Sequence, residues 1–415
     1  PPHTMILLRS AAAATVEEEV PTERFRRWIG GGMKQMHRVP RTLWLVSAIT
    51  ALLPVSLEGQ VAPTVRLIRE GCPACRIELD TLVRITDPTG EGGLARGPLG
   101  RDAGGRWLVA SGATPGLIAI YDSVGRFVRL AGGRGDGPGE YRVIGGLVPS
   151  RDGSLRVLEA FSRRITRLDP DFKVQSTDLM AEFVLVDLAH IGEGDEVVLA
   201  SSSNPRSMGY PLHRLREGKV VFSFGATDPD YRRDKAWLSR RNLSYSPSSG
   251  LWTSEIHRYR LERWDPESGE LLDRVDRVAP WLPAMEPPFR LDVEGGDPPK
   301  GGLVGIHIDQ DELAWVMLRV PDQSWRRGIG EGSDPYGRPS VVLTDANLVW
   351  DTVVEVVDLQ AGIALARMRF DRVVTGFAWG VDGTAMAVLY EESSLGFPSV
   401  TVVGLRLSRG PTQFP

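Results

Sequence analysis

An internal repeat constrains this chain more than any other feature of its sequence. Residues 155–170 read LRVLEAFSRRITRLDP and residues 251–266 read LWTSEIHRYRLERWDP, and the two stretches align without a gap. Six of the sixteen positions are identical: Leu155/Leu251, Glu159/Glu255, Arg164/Arg260, Arg167/Arg263, Asp169/Asp265 and Pro170/Pro266. Repeated units of this kind cannot bury their apolar faces alone, so each must pack against its neighbours.

The offset between the two copies is 96 residues, or two units of 48. A blade of a β-propeller has four strands and about 40–50 residues, so the offset predicts one further blade between the copies. Residues 194–200 and 211–216 supply the apolar runs of that blade. Weaker copies bring the number of units to six, at residues 105–128, 312–358 and 383–405. The sequence therefore predicts an all-β chain folded as a six-bladed β-propeller.

The order of the strands also predicts how the ring closes. The last unit lacks a fourth strand, whereas residues 76–85 form a spare strand ahead of the first unit. We expect 76–85 to pair into the last blade, because closure removes strand edges that would otherwise promote aggregation. A single propeller is then predicted over residues 76–409.

The first sixty residues carry a different pattern. Met33 is followed by basic residues, the apolar run 43–53 and polar residues near Gly59, which is the order found in secretory signal peptides. The run is shorter than the about 20 residues that a membrane-spanning helix needs, although an amino-terminal anchor is the alternative. We expect residues 33–59 to be a signal peptide, and residues 1–32 to be a disordered leader or an artefact of the assigned start codon. The mature protein would be periplasmic or secreted, without a stable membrane span.

The only two cysteines, Cys72 and Cys75, lie in residues 60–75, which we expect to form a linker. A thioredoxin-like redox pair requires a helix start beside a βαβ unit, and strand-like sequence follows here instead. A zinc site needs two more ligands and no cysteine remains to supply them, while haem attachment needs His where the chain has Arg76. The pattern favours a local disulfide in an oxidising compartment.

The segment between the first two units carries a family resemblance. Residues 132–141 read GGRGDGPGEY, and residues 155–169 form a strand–turn–strand core. Both stretches resemble NHL-type six-bladed propellers, especially the exported bacterial members, whose glycine-rich signature ends in Gly-Pro-Gly-Glu and an aromatic residue. The resemblance covers residues 76–407 and implies the six-bladed fold. It does not imply one activity, because propellers carry many unrelated functions.

The same glycines do not form a phosphate-binding loop. Such a loop needs a following helix and a Lys-Ser/Thr pair, and the sequence after residues 132–141 has neither. We expect the glycines to permit positive φ where the chain crosses between blades.

Two glutamates recur at equivalent strand ends, Glu159 and Glu255. They could hold a cation at one mouth of the channel. Because Arg164 and Arg260 recur with them, the pattern favours an ion pair within each blade.

No catalytic or metal-binding set is recognisable. His213, His257 and His307 occupy unrelated positions within their repeats, so a shared metal site is not expected. The sequence has neither a Gly-x-Ser-x-Gly elbow nor a His-Glu-x-x-His motif. We therefore assign no catalytic residue, no metal ligand and no cofactor.

Two long segments interrupt the short strands, at residues 279–302 and 321–351. Loops of this length are uncommon in compact domains unless they are functional or disordered. The second segment combines aromatic and arginine side chains, as binding surfaces do: Trp325, Arg326, Arg327, Tyr336 and Arg338. We expect any recognition surface there, with a disordered insertion as the alternative.

Charge and motifs together limit the function. The formal net charge is −4, and −6 without residues 1–59, with no concentrated basic stretch of the kind that binds nucleic acid. The preferred hypothesis is an exported, non-catalytic propeller that binds a protein, peptide or glycan. The alternative is a metal-dependent hydrolase or lyase acting at the central funnel, and only that alternative requires calcium or zinc.

Overall fold

All of the residues described here belong to one compact unit, Val61–Pro415. The computed structural model describes residues 64–86, 94, 97–111, 115–159, 162–180, 183–191, 197–202, 210–225, 240–282, 298–333, 339–380, 383–392 and 397–410. The expected leader (1–32) and signal peptide (33–59) lie outside these ranges.

The described chain forms six blades, each a four-stranded antiparallel sheet with or without added edge strands, and this confirms the predicted all-β propeller. The strands of the first three blades run in chain order from the innermost to the outermost. They are Leu99–Arg101, Trp107–Ala110, Leu117–Tyr121 and Phe127–Arg134 in blade one; Ile144–Pro149, Leu155–Glu159, Arg164–Leu168 and Val174–Leu179 in blade two; Val184–His190, Val197–Ser202, Leu212–Arg216 and Lys219–Phe224 in blade three.

Blades four and five have the same order, and blade six takes its outermost strand from the amino-terminal part of the unit. The strands are Arg241–Ser246, Gly250–Glu255, Arg260–Trp264 and Leu271–Asp276 in blade four; Gly302–Ile308, Leu313–Pro321, Trp350–Asp358 and Ile363–Phe370 in blade five; Val374–Phe377, Met386–Glu392, Pro398–Arg409 and Cys75–Thr86 in blade six.

The ring closes as the strand order predicts. Strand Cys75–Thr86 pairs antiparallel with Pro398–Arg409, in a register that runs from Cys75 opposite Arg409 to Thr86 opposite Ser399. The short strand Trp379–Gly380, just after the innermost strand of blade six, pairs in parallel with Gly100–Arg101 of blade one. The innermost strands of successive blades contact one another around the ring. The prediction that 76–85 completes the last blade is confirmed.

Three further short strands of the described chain lie at the edges of the blades. Thr64–Leu67 adds in parallel to the outermost strand of blade four, and Arg69–Glu70 adds in parallel to that of blade five. Both strands fall within residues 60–75, the stretch expected to be a linker. Glu140–Tyr141 pairs in parallel with Gly133–Arg134 at the end of the outermost strand of blade one.

The core consists of apolar layers between adjacent blades, and among the described residues six buried clusters occupy the six interfaces. Central strands such as Leu155–Glu159 are buried at every position, because each blade packs on a neighbour on both faces. Outermost strands such as Val174–Leu179 are largely exposed. Three tryptophans of these strands, Trp107, Trp252 and Trp315, are at most 3 % exposed.

Aspartate side chains form the turns between the third and fourth strands, as the repeat predicts. Their Oδ1 atoms accept from backbone N–H groups two or three residues ahead, which fixes the turn. The pairs are Asp122 with Val124 (3.1 Å), Asp169 with Asp171 (2.9 Å), Asp265 with Glu267 (2.8 Å) and Asp358 with Ala361 (2.8 Å).

Glycine is required where the chain leaves blade one. Gly132 has φ +84°, and a Cβ there would lie 3.1 Å from the carbonyl oxygen of Gly116. No helix follows this stretch, which continues through Glu140–Tyr141 into blade two. The glycines of 132–141 therefore serve the crossing between blades.

Candidate functional site

The long connections between strands all lie at one end of the propeller. Because successive strands in a blade are antiparallel, second-to-third connections and the links between blades emerge at one end, which we call the loop face. First-to-second and third-to-fourth connections emerge at the other end, the turn face. The longest connections, residues 225–240, 277–301 and 322–349, all belong to the loop face. Long loops on a rigid scaffold are where binding residues concentrate.

The connection 322–349, which we call the insertion, has secondary structure of its own. It contains a 3₁₀ turn, Trp325–Gly328, a hairpin of Ile329–Ser333 with Pro339–Leu343, and the short helix Ala346–Val349. The carbonyl oxygen of Gly328 accepts from the N–H groups of Thr344 and Asp345 at 2.9 and 3.1 Å. These bonds join the two ends of the hairpin, so the described part of the insertion is a small ordered lobe.

The five residues predicted to bind a partner divide into three groups. Trp325 is only 4 % exposed, so its indole supports the lobe instead of forming its surface. Arg326 and Arg327 are exposed, and the guanidinium of Arg326 stacks 4.4 Å from the centroid of the Trp325 ring. Tyr336 and Arg338 lie outside the described residues.

Several large apolar side chains are exposed at the loop face. They come from four different blade connections, and are Tyr210 (47 %), Val278 (75 %), Leu343 (40 %) and Phe397 (50 %). Singly exposed apolar residues are common on any protein. Together with Arg326 and Arg327, which are also exposed on this face, they give the loop face the composition of a recognition surface.

An acidic cluster lies at the base of the insertion. One carboxylate oxygen from each of Asp322, Asp351 and Asp371 lies within 4.8 Å of the other two. Asp322 follows the second strand of blade five, Asp351 is the second residue of the third, and Asp371 follows the fourth, so adjacent strand ends at the loop face bring them together. This is the one group of three or more potential metal ligands among the described residues. The sequence did not single them out, because aspartates after strands are common and these are far apart in the chain.

The electrostatics of the cluster centre on Asp351, which is 3 % exposed. Arg369 donates from Nε to its Oδ2 at 2.5 Å, whereas its Oδ1 is buried without a hydrogen-bond partner among the described residues. Burial raises the pKa of Asp351, and the carboxylates of Asp322 and Asp371 raise it further, against the opposing effect of Arg369. Asp322 already has one hydrogen-bond partner in its own turn, because its Oδ1 accepts from the N–H of Ser324.

The recurring glutamates form ion pairs within their blades. Glu159 is fully buried and accepts from Arg164 at 2.5 Å and from Ser162 Oγ at 2.8 Å. Glu255 is also buried, and lies 3.3 Å from Arg241 and 3.7 Å from Arg260. The Glu159–Arg164 pair is the one that the repeat favours, whereas Glu255 lies closer to Arg241 than to Arg260. Neither glutamate belongs to the acidic cluster.

The three histidines lie apart, each with its own partners. His213 Nδ1 lies 2.8 Å from Ser223 Oγ, His257 Nε2 lies 3.2 Å from Glu255, and His307 Nε2 lies 3.0 Å from the carbonyl oxygen of Gly383. They come from blades three, four and five and do not converge on one point.

His213 provides a test of stability against pH. Burial lowers the pKa of His213 from 6.5 to about 4. The imidazole is therefore protonated below about pH 6.5 in the unfolded chain, but only below about pH 4 in the folded protein. The contribution of His213 to stability is complete above pH 6.5 and falls as the pH falls, by on the order of 3 kcal/mol at pH 4. In urea unfolding, the free energy of unfolding of wild type should fall relative to that of His213→Gln as the pH is lowered from about 6.5 to about 4. Parallel curves for the two proteins would contradict the buried, neutral imidazole.

Asp187 lies between the innermost strands of blades three and four. Its Oδ2 accepts from the N–H of Leu243 and its Oδ1 from that of Leu188, both at 2.8 Å. Although part of its surface is accessible, the protein around it keeps it poorly solvated, and this burial raises the pKa of Asp187 to about 7 despite the two N–H donors. By accepting hydrogen bonds from two backbone N–H groups, one in each blade, the carboxyl group of Asp187 helps to fix the contact between blades three and four.

The sulfur atoms of Cys72 and Cys75 are joined in a disulfide. It closes a tight turn between edge strand Arg69–Glu70 and the closing strand Cys75–Thr86, in which the N–H of Cys75 donates to the carbonyl oxygen of Cys72 at 3.1 Å. The disulfide constrains the start of the strand that closes the ring.

Solved structures that match with a TM-score above 0.5 share this fold. A protein of Bacteroides fragilis described as an exported-protein candidate matches with a TM-score of 0.53 and 10 % identity, over 83 % of this chain and 100 % of that one. A member of the DUF4221 family from Bacteroides vulgatus matches with a TM-score of 0.54 and 11 % identity, over 81 % and 99 % of the two chains. Virginiamycin B lyase of Staphylococcus aureus matches with a TM-score of 0.44 and 12 % identity, over 79 % and 99 %.

The sequence matches no protein-family model and no curated protein. Among the described residues, no helix has the length and apolarity to cross a membrane. At identities of 10 and 11 % the structural similarities show the fold alone. The chain is therefore a six-bladed propeller similar in fold to proteins that include an exported-protein candidate.

Proposed function

We propose that this chain is an exported, non-catalytic propeller of NHL type that binds a protein, peptide or glycan through its loop face. The observation that carries the proposal is the insertion, an ordered lobe mounted on that face with Arg326 and Arg327 exposed. Folding a lobe of this size costs conformational entropy, and its buried residues Trp325 and Val349 provide the packing that holds it in place. A lobe held in this way keeps its surface side chains preorganised for a partner.

The side chains at the loop face suit recognition. Arginine is among the residues most enriched at interface hot spots, because its planar guanidinium stacks and donates in several directions. The other apolar side chains exposed on the loop face, Tyr210 and Phe397 among them, would lose contact with water where a partner covers them. We include Tyr336 and Arg338 in the proposed surface, because they belong to the same insertion.

Two further features support the assignment to an exported NHL-type protein. The order of charges and apolar residues over 33–59 is that of a signal peptide, and the Cys72–Cys75 disulfide suits an oxidising compartment. The glycine-rich crossing at 132–141 and the Glu159–Arg164 pair are the features by which the chain resembles the NHL type.

Capture from the native envelope tests the proposal. The exported protein is immobilised, and retained proteins, peptides and glycans are identified by mass spectrometry. Two double variants are compared with wild type: Arg326→Glu/Arg327→Glu on the insertion, and Arg151→Glu/Arg216→Glu, exposed arginines of the turn face. We expect the first pair to weaken binding about tenfold or more, which is roughly 1.4 kcal/mol or more, and the second to leave it unchanged. Equal affinity of both double variants, or capture of no specific molecule by wild type, would overturn the proposal.

A further inference from the structure

We infer that Asp322, Asp351 and Asp371 form a calcium site that fastens the insertion to blade five. This site is independent of what the loop face binds, and it was not expected from the sequence, which assigned no metal ligand. Two separate observations lead to it, one geometric and one concerning an unpaired buried oxygen.

The geometric observation is the convergence of three carboxylates. Their oxygens lie within 4.8 Å of one another, and calcium binds oxygen ligands at 2.3–2.6 Å, so oxygens on opposite sides of one ion are about 5 Å apart. The three groups are therefore close enough to bind a single calcium ion, with water completing its shell of six to eight ligands.

The second observation is the state of Asp351. Its side chain is 4 % exposed, one oxygen pairs with Arg369, and the other is buried with no hydrogen-bond partner among the described residues. Buried polar atoms in folded proteins nearly always have a partner, which is a protein group, an ordered water or an ion. An unpaired oxygen on a carboxyl group that belongs to a cluster of three carboxylates indicates that the missing partner is a cation.

The charge balance leads to the same conclusion. Of the three carboxylates, Asp351 is paired with the guanidinium of Arg369, which is itself half exposed. The other nearby arginine, Arg372, is engaged by Glu391 at 2.9 Å. Like charges this close repel each other strongly in a partly buried site, and a divalent cation removes that repulsion.

The ligand chemistry selects calcium. All three donors are carboxylate oxygens, which suit calcium and magnesium, whereas zinc prefers nitrogen and sulfur ligands. Magnesium requires nearly ideal octahedral geometry and keeps most of its water, while calcium accepts irregular sites. The three aspartates come from three different strand ends and have no regular spacing, so the site suits calcium better.

The position of the site gives it a mechanical role. Asp322 is the first residue of the insertion, Asp351 lies two residues beyond its end, and Asp371 begins the link to blade six. An ion bound to all three ties both ends of the insertion to the neighbouring connection. Calcium should therefore stabilise the lobe as well as the whole fold.

The test titrates the calcium-stripped protein with calcium alone, followed by isothermal titration calorimetry and by thermal unfolding. We expect one site with Kd on the order of 10⁻⁴–10⁻³ M, as in extracellular modules, and a melting temperature that rises with calcium by mass action. Asp371→Asn, at an exposed position, should weaken binding about tenfold or more. Asp171→Asn, at an exposed position of the turn face, should bind as wild type does.

A second variant distinguishes two explanations for the buried carboxyl group of Asp351, a bound calcium ion and protonation. If calcium fills the site, Asp351→Asn should match or exceed wild type in stability without calcium, because repulsion is relieved, and should lose the calcium-dependent rise in melting temperature. No binding by wild type at about 10 mM calcium, tenfold above the weakest affinity expected, would overturn the proposal. Binding of magnesium with no binding of calcium would overturn it as well, as would wild-type calcium affinity in Asp371→Asn.

Discussion

Replacing Ile77 and Ile85 together with alanine is expected to leave the propeller largely unfolded. Both side chains lie in the closing strand, where Ile77 is 6 % and Ile85 0 % exposed. Ile77 packs in the layer between blades five and six, and Ile85 in the layer between blades six and one. Each change should cost about 2–5 kcal/mol, and two distant sites add, against a total stability of about 5–15 kcal/mol. Urea unfolding followed by tryptophan fluorescence and circular dichroism measures the loss.

The control for this experiment is available in the same strand. Leu79 and Leu82 are 40 % and 41 % exposed, so Leu79→Ala/Leu82→Ala removes similar side chains without opening a cavity. We expect that pair to change stability by about 1 kcal/mol or less in total. Similar losses from the two pairs would mean that Ile77 is not buried against blade five and Ile85 is not buried against blade one, and the closed ring would then be wrong.

The sequence was sufficient to predict the ring because a repeat encodes the blade. Each copy must bury both faces against its neighbours, so the positions at which Leu155 and Leu251 recur follow from packing alone. The offset between those copies gave the length of one blade, and the weaker copies brought the number of blades to six. The spare strand at 76–85 could be placed because a ring with one open edge leaves a single position for it.

The edge strands Thr64–Leu67 and Arg69–Glu70 could not be predicted in the same way. They are largely exposed, so no alternation of apolar and polar residues marks them as strands. What holds them is backbone pairing to blades four and five, together with contacts such as Arg66 with Asp273 at 3.3 Å. Pairing of that kind leaves no pattern in the local sequence.

The candidate site was only partly predictable, for a related reason. The length and composition of the insertion drew attention to residues 321–351, but whether Trp325 faces solvent depends on how the lobe folds. The acidic cluster depends on which strand ends meet in space. The three aspartates meet because adjacent strands of blade five have their ends side by side at the loop face. The spacing of residues along the sequence does not reveal a site of this kind.

A buried ionic network joins blades four and five to the edge strand Arg69–Glu70. Its centre is Glu355, which is fully buried in the third strand of blade five. Tyr259 donates its hydroxyl to Glu355 at 2.7 Å, and Arg277 donates at 2.8 and 2.9 Å. Burial, and then the charge of Glu355, hold the pKa of Tyr259 well above its usual value, so the phenol stays a donor. Arg277 also reaches Glu70 at 2.6 Å, so the network crosses three elements.

Glu355→Ala should destabilise the propeller by about 3–5 kcal/mol, because it leaves the guanidinium of Arg277 buried without its main counter-charge. Arg277 is only 3 % exposed at its side chain, so water cannot replace the lost carboxylate. The matched control is Glu78→Ala, which breaks an ion pair with Arg406 at 2.6 Å between side chains that are 45 % and 66 % exposed. An exposed pair is worth at most about 1 kcal/mol, so equal losses in urea unfolding would contradict the network. A larger loss in Glu355→Ala would identify desolvation, and not the mere presence of an ion pair, as the reason that blade four depends on blade five.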